Sequence, residues 1–315
     1  MKRMMMSSGI PMRPIIKAPW NSWADLRDLI TVRLLTVALA GAIAAGIGPA
    51  EAQFTSGVSL VEVYASVTDA KGEPITGLAQ GDFDVREDGQ PQRLTNFVAG
   101  QFPLSVAVAI DSSFSMAGKR LDLAKSAART FLGELRKSDE SMIVAIGSEV
   151  QTLAPLSTYR APQLDAINRL GAFGTTALHD AVLSSIDAVQ PAKGRRALVL
   201  LSDGDDRYST STAAETLERA RRSDVMIYPV ALGRRPAPLF AELASLTGGR
   251  SFHTRDAAGL SNTLTAIARD LRHQYLLGYT PSRPIVRGAD EWRSISVTVK
   301  RPGARVRARD GYVAK

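Results

Sequence analysis

The apolar run at residues 104–110 constrains the fold of this 315-residue chain more than any other stretch. It reads LSVAVAI, which is a suitable length for a β-strand and is rich in Val and Ile. A strand that lacks a polar face belongs inside a parallel sheet that helices cover on both sides. The run therefore predicts a central strand of an α/β domain.

Strand-like and helix-like patterns alternate after this run. An apolar stripe at Leu121, Ala124, Ala128 and Phe131 predicts the first helix. Further strands are predicted at 141–146, 196–201 and 225–232, a short edge strand at 151–156, and helices at 161–170, 177–189, 212–222, 236–246 and 257–272. Repeated βα units of this kind predict an α/β fold with a doubly wound, mostly parallel Rossmann-like sheet.

Both flanks of this domain are β-rich. In the first flank, the Asp88-Gly89 pair predicts a hairpin turn with a returning strand at 93–98. A segment of about 40 residues buries too little surface to fold confidently alone, so we expect the first flank to pack on the α/β domain. Strands of the second flank could pair with those of the first, which would bring both flanks into one small β-module. The predicted divisions are an N-terminal β-rich module at 53–101, the α/β domain at 102–273 and a C-terminal β-strand extension at 274–315.

Residues 1–52 have the pattern of a signal peptide. Basic residues precede an Ala-rich apolar stretch at 34–48, and Ala50-Glu51-Ala52 offers a cleavage site of small residues before Gln53. The apolar stretch is short for a membrane-spanning helix. We therefore expect cleavage after Ala52 and an extracytoplasmic mature chain, either periplasmic or secreted. The alternatives are a downstream start or an uncleaved signal anchor, which is the only membrane attachment that we expect.

Charge and cysteine content exclude several classes of function. The chain has a formal charge of +8, and part of the excess is a basic cluster in the tail, namely Lys300, Arg301, Arg305, Arg307 and Arg309. No aromatic residues alternate with these bases as in nucleic-acid platforms, so we expect a solvated basic face and no nucleic-acid partner. The chain has no Cys, which excludes disulfides, thiol catalysis and zinc–thiolate sites.

Side chains with oxygen atoms follow the central strand at alternate positions, at Asp111, Ser113 and Ser115. Ligands of open α/β sheets bind at the carboxyl ends of the strands. An Asp with two hydroxyls suits Mg²⁺ or Ca²⁺ better than zinc or copper, which prefer imidazole and thiolate. By itself, the pattern fits equally well a Ser-rich turn whose Asp caps the next helix.

Two further loops carry similar side chains, GTTALHDA at 174–181 and LLSDGDD at 200–206. With these loops, the sequence resembles the von Willebrand factor A domain, whose metal-ion-dependent adhesion site combines D-x-S-x-S with a distant Thr and a distant Asp. The matching metal-ligand residues are Asp111, Ser113, Ser115, Thr176 and Asp203. The runs at 142–148 and 225–233 are also similar to strands of this family, and the flanks resemble those of bacterial exported proteins with a related domain.

The resemblance implies an exported, metal-dependent protein-binding module for adhesion or scaffolding, and not an enzyme. The expected metal is Mg²⁺, with Ca²⁺ or Mn²⁺ as alternatives. Two carboxylates and three neutral hydroxyls leave a divalent ion with a net charge near zero and an open coordination position. In this family that position accepts a carboxylate, so the expected partner protein presents an Asp or Glu side chain. The sequence indicates no oligomeric state.

Some details of the site stay open at the level of sequence. Thr175 is the alternative to Thr176 in the second loop. Phe114 stands where the family often has Gly, and its ring either narrows access or offers an apolar contact to a partner. We expect Asp205 and Asp206 to support the site or face solvent and not to bind the metal directly.

Two other functions compete with partner binding. A structural envelope protein could use the metal only to tie the three loops together. A serine or metal-dependent hydrolase could use Ser113 or Ser115 as nucleophile, with a base chosen from His179, His253 and His273. The chain has no G-x-S-x-G elbow, however, and it has neither G-x-G-x-x-G nor a P-loop for nucleotides.

Overall fold

The computed structural model describes residues 60–100, 102–233, 236–286 and 288–315. The predicted signal peptide at 1–52 lies outside these residues and stays a prediction. The strands are β1 (Val61–Thr68), β2 (Phe83–Glu87), β3 (Gln90–Gln92), β4 (Leu94–Gly100), β5 (Leu104–Asp111), β6 (Glu140–Ile146), β7 (Val150–Ser157), β8 (Arg195–Ser202), β9 (Val225–Leu232), β10 (Phe252–Thr254), β11 (Gln274–Tyr279), β12 (Glu291–Val299), β13 (Arg305–Arg307) and β14 (Gly311–Ala314). The α-helices are α1 (Lys119–Glu134), α2 (Arg160–Arg169), α3 (Leu178–Val189), α4 (Ala213–Arg222), α5 (Pro238–Thr247) and α6 (Ala257–Arg272).

The central sheet has six strands in the order β10-β9-β8-β5-β6-β7. Its strands are parallel except for β7, which pairs antiparallel with β6 at one edge. All eight residues of β5 are buried, because β5 lies between β8 and β6 and helices cover both of its faces. The predicted doubly wound, mostly parallel sheet with a short edge strand is confirmed.

Alternate residues of β5 contribute to two separate apolar cores. Val106, Val108 and Ile110 pack in the core that contains residues of α1 and α6, whereas Ala107 and Ala109 pack in the core that contains residues of α3 and α5. A fully buried Val or Ile side chain contributes about 1.5–3 kcal/mol relative to exposure. Apolar packing on both faces therefore holds β5 and the loop that follows it firmly in place.

The two flanks form a β-module of two four-stranded sheets, β13-β1-β11-β4 and β14-β12-β2-β3. β1 of the first flank pairs antiparallel with β11 of the second, with Val61 opposite Tyr279. β2 likewise pairs antiparallel with β12. Val63, Val85 and Leu277 lie in the apolar core that both sheets share. The predicted pairing of the flanks into one β-module is confirmed.

The hairpin of the first flank was predicted only in part. Asp88 and Gly89 form the turn, with φ of 48° and 79°, and positive φ at both positions is typical of a type I′ turn. A strand, β4, does lie near the predicted 93–98, but its assignment as the returning strand is wrong. The hairpin returns through β3, which ends at Gln92, and β4 pairs with β11 in the other sheet. Phe97 of β4 stacks there on Tyr275, with ring centroids 6.0 Å apart.

Polar contacts join the β-module to the helices of the α/β domain. Arg307 of β13 donates to both carboxylate oxygens of Asp270 in α6, at 2.7 and 3.2 Å. Tyr228 of β9 donates to the same carboxylate at 2.7 Å. The expectation of a solvated basic tail is therefore wrong for Arg307, and also for Arg309, whose guanidinium lies over the Tyr312 ring. Pairing of β13 with β1 turns this part of the tail towards the domain.

No helix in the described part of the chain is long and apolar enough to cross a membrane.

Candidate metal centre

The first loop of the candidate site begins where β5 ends. Asp111 is the last residue of β5 and its side chain is fully buried. Ser112 ties the loop to β6, because its N–H and its hydroxyl both donate to the carbonyl oxygen of Ile146, at 2.9 and 3.0 Å. The N–H of Ser113 donates to Asp111 Oδ1 at 3.0 Å, and a short 3-10 turn, Phe114–Met116, leads into α1.

Hydrogen bonds connect the predicted ligands of the first and third loops. Ser113 Oγ and Ser115 Oγ are 3.0 Å apart. Ser115 Oγ also donates to Asp203 Oδ2 at 2.7 Å. Asp203 follows β8, which is the parallel neighbour of β5. Adjacent strands therefore bring Asp111 and Asp203 to the same edge of the sheet, with the two hydroxyls between their loops.

Ser202 holds the Asp111 carboxylate, a role that sequence analysis missed. Its Oγ donates to Asp111 Oδ2 at 2.6 Å and accepts from the N–H of Gly204 at 3.0 Å. Burial raises the pKa of Asp111, hydrogen bonds from Ser202 and Ser113 partly offset this effect, and the negative charge of Asp203 adds to it. The available signal in the sequence was a hydroxyl at the end of an apolar strand, directly before Asp203.

The backbone ties the second loop to the first. The N–H of Phe173 donates to the carbonyl of Ser112 at 2.7 Å. The N–H of Phe114 donates to the carbonyl of Gly174 at 3.0 Å. Gly174 has a φ of 64°, and a Cβ added there would lie 2.4 Å from Ser148 Oγ, so this close turn requires glycine. The two loops are thus fixed relative to each other two residues before Thr176.

Thr176 connects the second loop to the third. Its side chain is buried, and its carbonyl oxygen accepts from the N–H groups of Arg207 and Tyr208, at 2.9 and 3.0 Å. The hydroxyl of the alternative residue, Thr175, lies 3.2 Å from Ser148 Oγ. This contact favours Thr176 as the hydroxyl available to a metal.

Asp206 caps α3. Its Oδ1 accepts from the N–H groups of Leu178 and His179, at 2.8 and 3.2 Å, in the first turn of the helix. A carboxylate in this position also interacts favourably with the helix dipole. Asp205 is exposed and forms an ion pair with Arg207 at 3.3 Å. These contacts support the expectation that neither residue binds a metal directly.

Asp180 anchors the far end of the third loop to α3. Its carboxylate accepts from the N–H groups of Thr210 and Ser211, at 2.9 and 3.0 Å. Burial raises the pKa of Asp180, but the hydrogen bonds from these two residues outweigh it, and the pKa falls below its ordinary value. The loop that carries Asp203 is therefore held at both of its ends.

Comparison with known families identifies the domain. The von Willebrand factor type A domain family matches residues 106–205, a span that includes all three loops. The chain contains a von Willebrand factor type A domain. The resemblance inferred from the sequence motifs is thereby confirmed.

Several solved structures are similar to parts of this chain. A von Willebrand factor type A protein from Catenulispora acidiphila superposes with a TM-score of 0.50 at 15% identity, over 74% of this chain and 63% of that chain. An aerotolerance-related membrane protein from Bacteroides fragilis gives a TM-score of 0.46 at 16% identity, over 54% of this chain and 98% of that chain. The vWF domain of the type V pili tip protein Mfa5 from Porphyromonas gingivalis gives 0.46 at 13% identity, over 55% and 95%. No curated protein sequence matches this chain.

The donor atoms of the von Willebrand factor A domain fit a hard divalent cation. The described residues contain no cluster of three or more His, Cys, Asp or Glu side chains that could hold a metal. The candidate site instead combines two carboxylates with hydroxyls, and such an all-oxygen set suits Mg²⁺, Ca²⁺ or Mn²⁺. A cation next to Asp111 would also offset the burial and the repulsion that raise the pKa of this residue.

Three side chains of contrasting character surround the site. Arg120 Nη1 donates to the carbonyl of Ser115 at 3.1 Å and lies 3.9 Å from Asp203 Oδ2. Phe114 and Tyr208 are 68% and 61% exposed, which is high for aromatic residues. The rim formed by these loops and the start of α1 therefore contains a cation and two exposed aromatic side chains.

The three histidines contact backbone carbonyls. His179 Nδ1 lies 3.0 Å from the oxygen of Ser211, and the rings of His253 and His273 each lie 2.8 Å from a carbonyl oxygen. The hydroxyls of Ser113 and Ser115 contact each other and Asp203. The described contacts therefore lend no support to the Ser–His pair that a serine hydrolase needs.

Proposed function

We propose that this protein is an exported protein-binding module that uses a divalent cation, Mg²⁺ in the first instance, to bind an acidic side chain of a partner protein. The proposal rests mainly on one observation. The hydrogen-bonded group of Asp111, Ser113, Ser115 and Asp203 lies at the carboxyl ends of two adjacent central strands. The membership of the von Willebrand factor A family supports an interaction role over a catalytic one.

Each residue of the site has a definite role in this proposal. Asp111 and Asp203 supply the negative charge, and Ser113, Ser115 and Thr176 supply neutral oxygens. A bound cation would supply an electrophilic position for an anionic ligand. Ser202 and the backbone N–H of Ser113 hold the Asp111 carboxylate in position before any ligand arrives. The preformed loops reduce the entropy that binding would cost.

The rim would determine which partners bind. Arg120 places a positive charge beside the site, so a partner segment with acidic residues is favoured over a basic one. The exposed Phe114 supports the second of the two roles considered for it, an apolar contact to the partner. In the proposed extracytoplasmic location, such a partner is another envelope or secreted protein.

Affinity capture followed by titration tests the proposal. The chain from Gln53 onwards would be immobilised and exposed to the envelope fraction of its host, with Mg²⁺ or with EDTA. The partner recovered only with Mg²⁺ would then be titrated against wild type, Asp203→Ala and Asp205→Ala. Loss of a desolvated charge contact costs about 2–5 kcal/mol, so Asp203→Ala and EDTA should each weaken binding by at least about 30-fold.

Two features of this experiment keep it decisive. Asp205→Ala removes a neighbouring carboxylate that is exposed and paired with Arg207, so binding should be unchanged. Asp203→Ala combined with EDTA should weaken binding no further than either alone, since both remove one contact. Full-strength binding after both treatments would mean that the metal has only a structural role and that the partner docks elsewhere.

A further inference from the structure

A cleft opens at the edge of the central sheet opposite the candidate metal centre. Its volume is about 470 Å³, which is within the range of about 300–1,000 Å³ for small-molecule sites. Residues of β1 and β14 form one wall, and the starts of β8 and β9 form the other. Arg196 in this wall and Asp203 in the metal centre are seven residues apart along an extended strand, about 23 Å. The two sites are therefore separate.

Arg309 supplies a cation to the wall of this cleft. Its Nη2 donates to the carbonyl oxygen of Glu62 at 2.7 Å, and its guanidinium lies 5.6 Å from the centre of the Tyr312 ring. Its Nε is buried and has no hydrogen-bond partner among the described residues. A guanidinium has five N–H donors, so these contacts leave donors for a ligand. Burial lowers the pKa of Arg309, as expected for a charge removed from water.

The other charged groups of the cleft differ from Arg309. Arg196 forms an ion pair with Asp224, which also accepts from Gln190. Glu62 and Lys315 are exposed and carry opposite charges. Among the described residues that line the cleft, Arg309 is thus a half-buried cation that forms no ion pair, although the charges of Asp224 and Glu62 act on it from a greater distance. A half-buried cation without a contacting anion is costly, and a bound anion would offset part of that cost.

Polar and apolar side chains share the remaining walls of the cleft. Tyr64, Met226, Ile285 and Val313 line it, and Leu60, which is 44% exposed, lies in it as well. Binding sites for small molecules typically combine apolar walls with a few polar groups that fix the orientation of the ligand. This cleft offers several polar groups, and among them the planar guanidinium of Arg309 matches the geometry of a carboxylate.

We propose that this cleft binds a small organic anion in which a carboxylate is attached to an apolar body. The carboxylate lies on Arg309, and the apolar body lies against Tyr64, Met226 and Val313. The ligand is either a free carboxylic acid or the C-terminal end of an apolar peptide, since the recognising chemistry is the same. This inference does not depend on the metal centre.

Binding measurements, each with an acid and its amide, test whether the cleft binds such an anion. The chain from Gln53 onwards would be titrated with 4-phenylbutyrate and with N-acetyl-Leu-Phe, each beside its primary amide. Ligand-observed NMR detects the binding, and ¹⁵N-labelled protein reports the site through the amides of Glu62, Tyr312 and Val313. We expect at least one acid to bind with a Kd of about 1 mM or tighter and at least about tenfold tighter than its amide. Tighter binding of 4-phenylbutyrate would identify the ligand as a free carboxylic acid, and tighter binding of N-acetyl-Leu-Phe would identify it as the C-terminal end of a peptide.

Three variants decide whether Arg309 is responsible. Arg309→Gln should abolish detectable binding of the acid. Leu60→Asp, an exposed change that adds a negative charge to the cleft, should weaken it without touching Arg309. Arg305→Gln, an exposed arginine outside the cleft, is the control and should bind as wild type does.

Three outcomes would overturn the proposal. These are failure of both acids to bind, equal binding of acid and amide, and undiminished binding to Leu60→Asp and Arg309→Gln. EDTA should have no effect, and a requirement for Mg²⁺ would place the probes at the metal centre instead. The thermal midpoint of each variant shows whether that variant is folded. If Arg309→Gln does not fold, the binding of the acid to Leu60→Asp still tests the proposal.

Discussion

At the scale of single residues, two short hydrogen bonds hold the carboxylates of the candidate metal centre. Ser202 Oγ donates to Asp111 Oδ2 at 2.6 Å, and Ser115 Oγ donates to Asp203 Oδ2 at 2.7 Å. Asp111, Ser113, Ser115 and Asp203 were selected from their sequence pattern, and the structure brings them together by hydrogen bonds. Ser202 was missed because the motif contains only ligands, whereas its hydroxyl acts on a ligand through a contact between strands. A pattern along the chain does not show which hydroxyl faces which carboxylate across a sheet.

The metal hypothesis predicts a thermal response to divalent cations. Mg²⁺ should raise the thermal midpoint, because a ligand at 100 times its Kd stabilises the folded state by about 2.7 kcal/mol. Asp203→Ala should remove most of this shift, and Asp205→Ala should retain it. Differential scanning calorimetry with Mg²⁺, Ca²⁺ and Mn²⁺ measures the effect. No shift with any of the three cations would count against a metal site.

Ser202→Ala should lower the free energy of unfolding by about 1–3 kcal/mol. The reason is that the buried Asp111 carboxylate loses the donor that lies 2.6 Å away, and an unmet buried acceptor carries a cost of this size. Urea denaturation without metal measures the change. Ser126→Ala, at an exposed position of α1, is a matched control and should change stability by less than about 0.5 kcal/mol. Equal effects of the two substitutions would contradict the role of Ser202.

At the scale of elements, burial patterns predicted the parallel sheet well and the β-module less well. β5 has no polar face, so its place inside the sheet followed from its composition. The boundary between β3 and β4 did not follow from composition, because the residues of both segments are typical of strands. What separates them is the packing of Phe97 on Tyr275, a residue about 180 positions away in sequence that pattern reasoning cannot place. Contacts between distant segments determine such boundaries.

A buried ion pair makes the β-module sensitive to single substitutions. Glu87 of β2 and Arg293 of β12 are almost fully buried and 3.1 Å apart, and the hydroxyls of Tyr279 and Tyr312 both donate to Glu87 at 2.9 Å. Glu87→Gln would remove the buried carboxylate that contacts Arg293 and leave only the more exposed Glu291, 3.3 Å from the Nε of Arg293, so it should cost up to about 3–5 kcal/mol in urea denaturation. Asp84→Asn, which breaks an exposed pair with Arg86, should cost at most about 1 kcal/mol. Similar costs would show that the buried pair contributes little.

The stabilisation that the contact between the third loop and α3 gives to the fold should depend on pH. The pKa of Asp180 is lowered in the folded protein, so its charge stabilises the fold above the ordinary Asp pKa of about 3.9. That contribution is lost as the pH falls through the lowered pKa, when the carboxylate becomes protonated. Asp180→Asn should therefore lower the free energy of unfolding at pH 7. The further fall of this free energy below about pH 4 should be smaller in the variant than in wild type. Urea denaturation from pH 7 to 3 measures both effects, and an unchanged pH profile would contradict this role.

At the scale of the whole molecule, contacts between the β-module and the α/β domain couple their unfolding. Gln274 of β11 accepts from Arg195 of β8 at 2.9 Å, and Arg221 of α4 lies 4.2 Å from the Trp292 ring of β12. Packing of the first flank on the domain was expected from its small size, but the sequence did not show which residues make the contacts. The predicted boundaries near residues 102 and 273 describe changes in sequence pattern, and the contacts cross both of them.

This coupling predicts a single unfolding transition for the chain from Gln53 onwards. Trp292 is the only tryptophan in that segment, so its fluorescence reports on the β-module and its contact with α4. Far-UV circular dichroism mainly reports on the helices of the α/β domain. The two signals should change at the same urea concentration, as two-state unfolding requires. Two separate midpoints would show that the β-module and the domain unfold independently.

The cleft at the base of the sheet also has a mechanical consequence. Leu60 and Lys315 both line it, whereas the candidate metal centre lies at the far edge of the sheet. Tension applied between these two residues would be carried by the pairing of β1 with β11 and of β14 with β12, and the loops around Asp203 would bear no load. A single-molecule pulling experiment between residues 60 and 315 should therefore give the same rupture force with and without Mg²⁺. Stretching between these two residues would then leave the loops around Asp203 undisturbed.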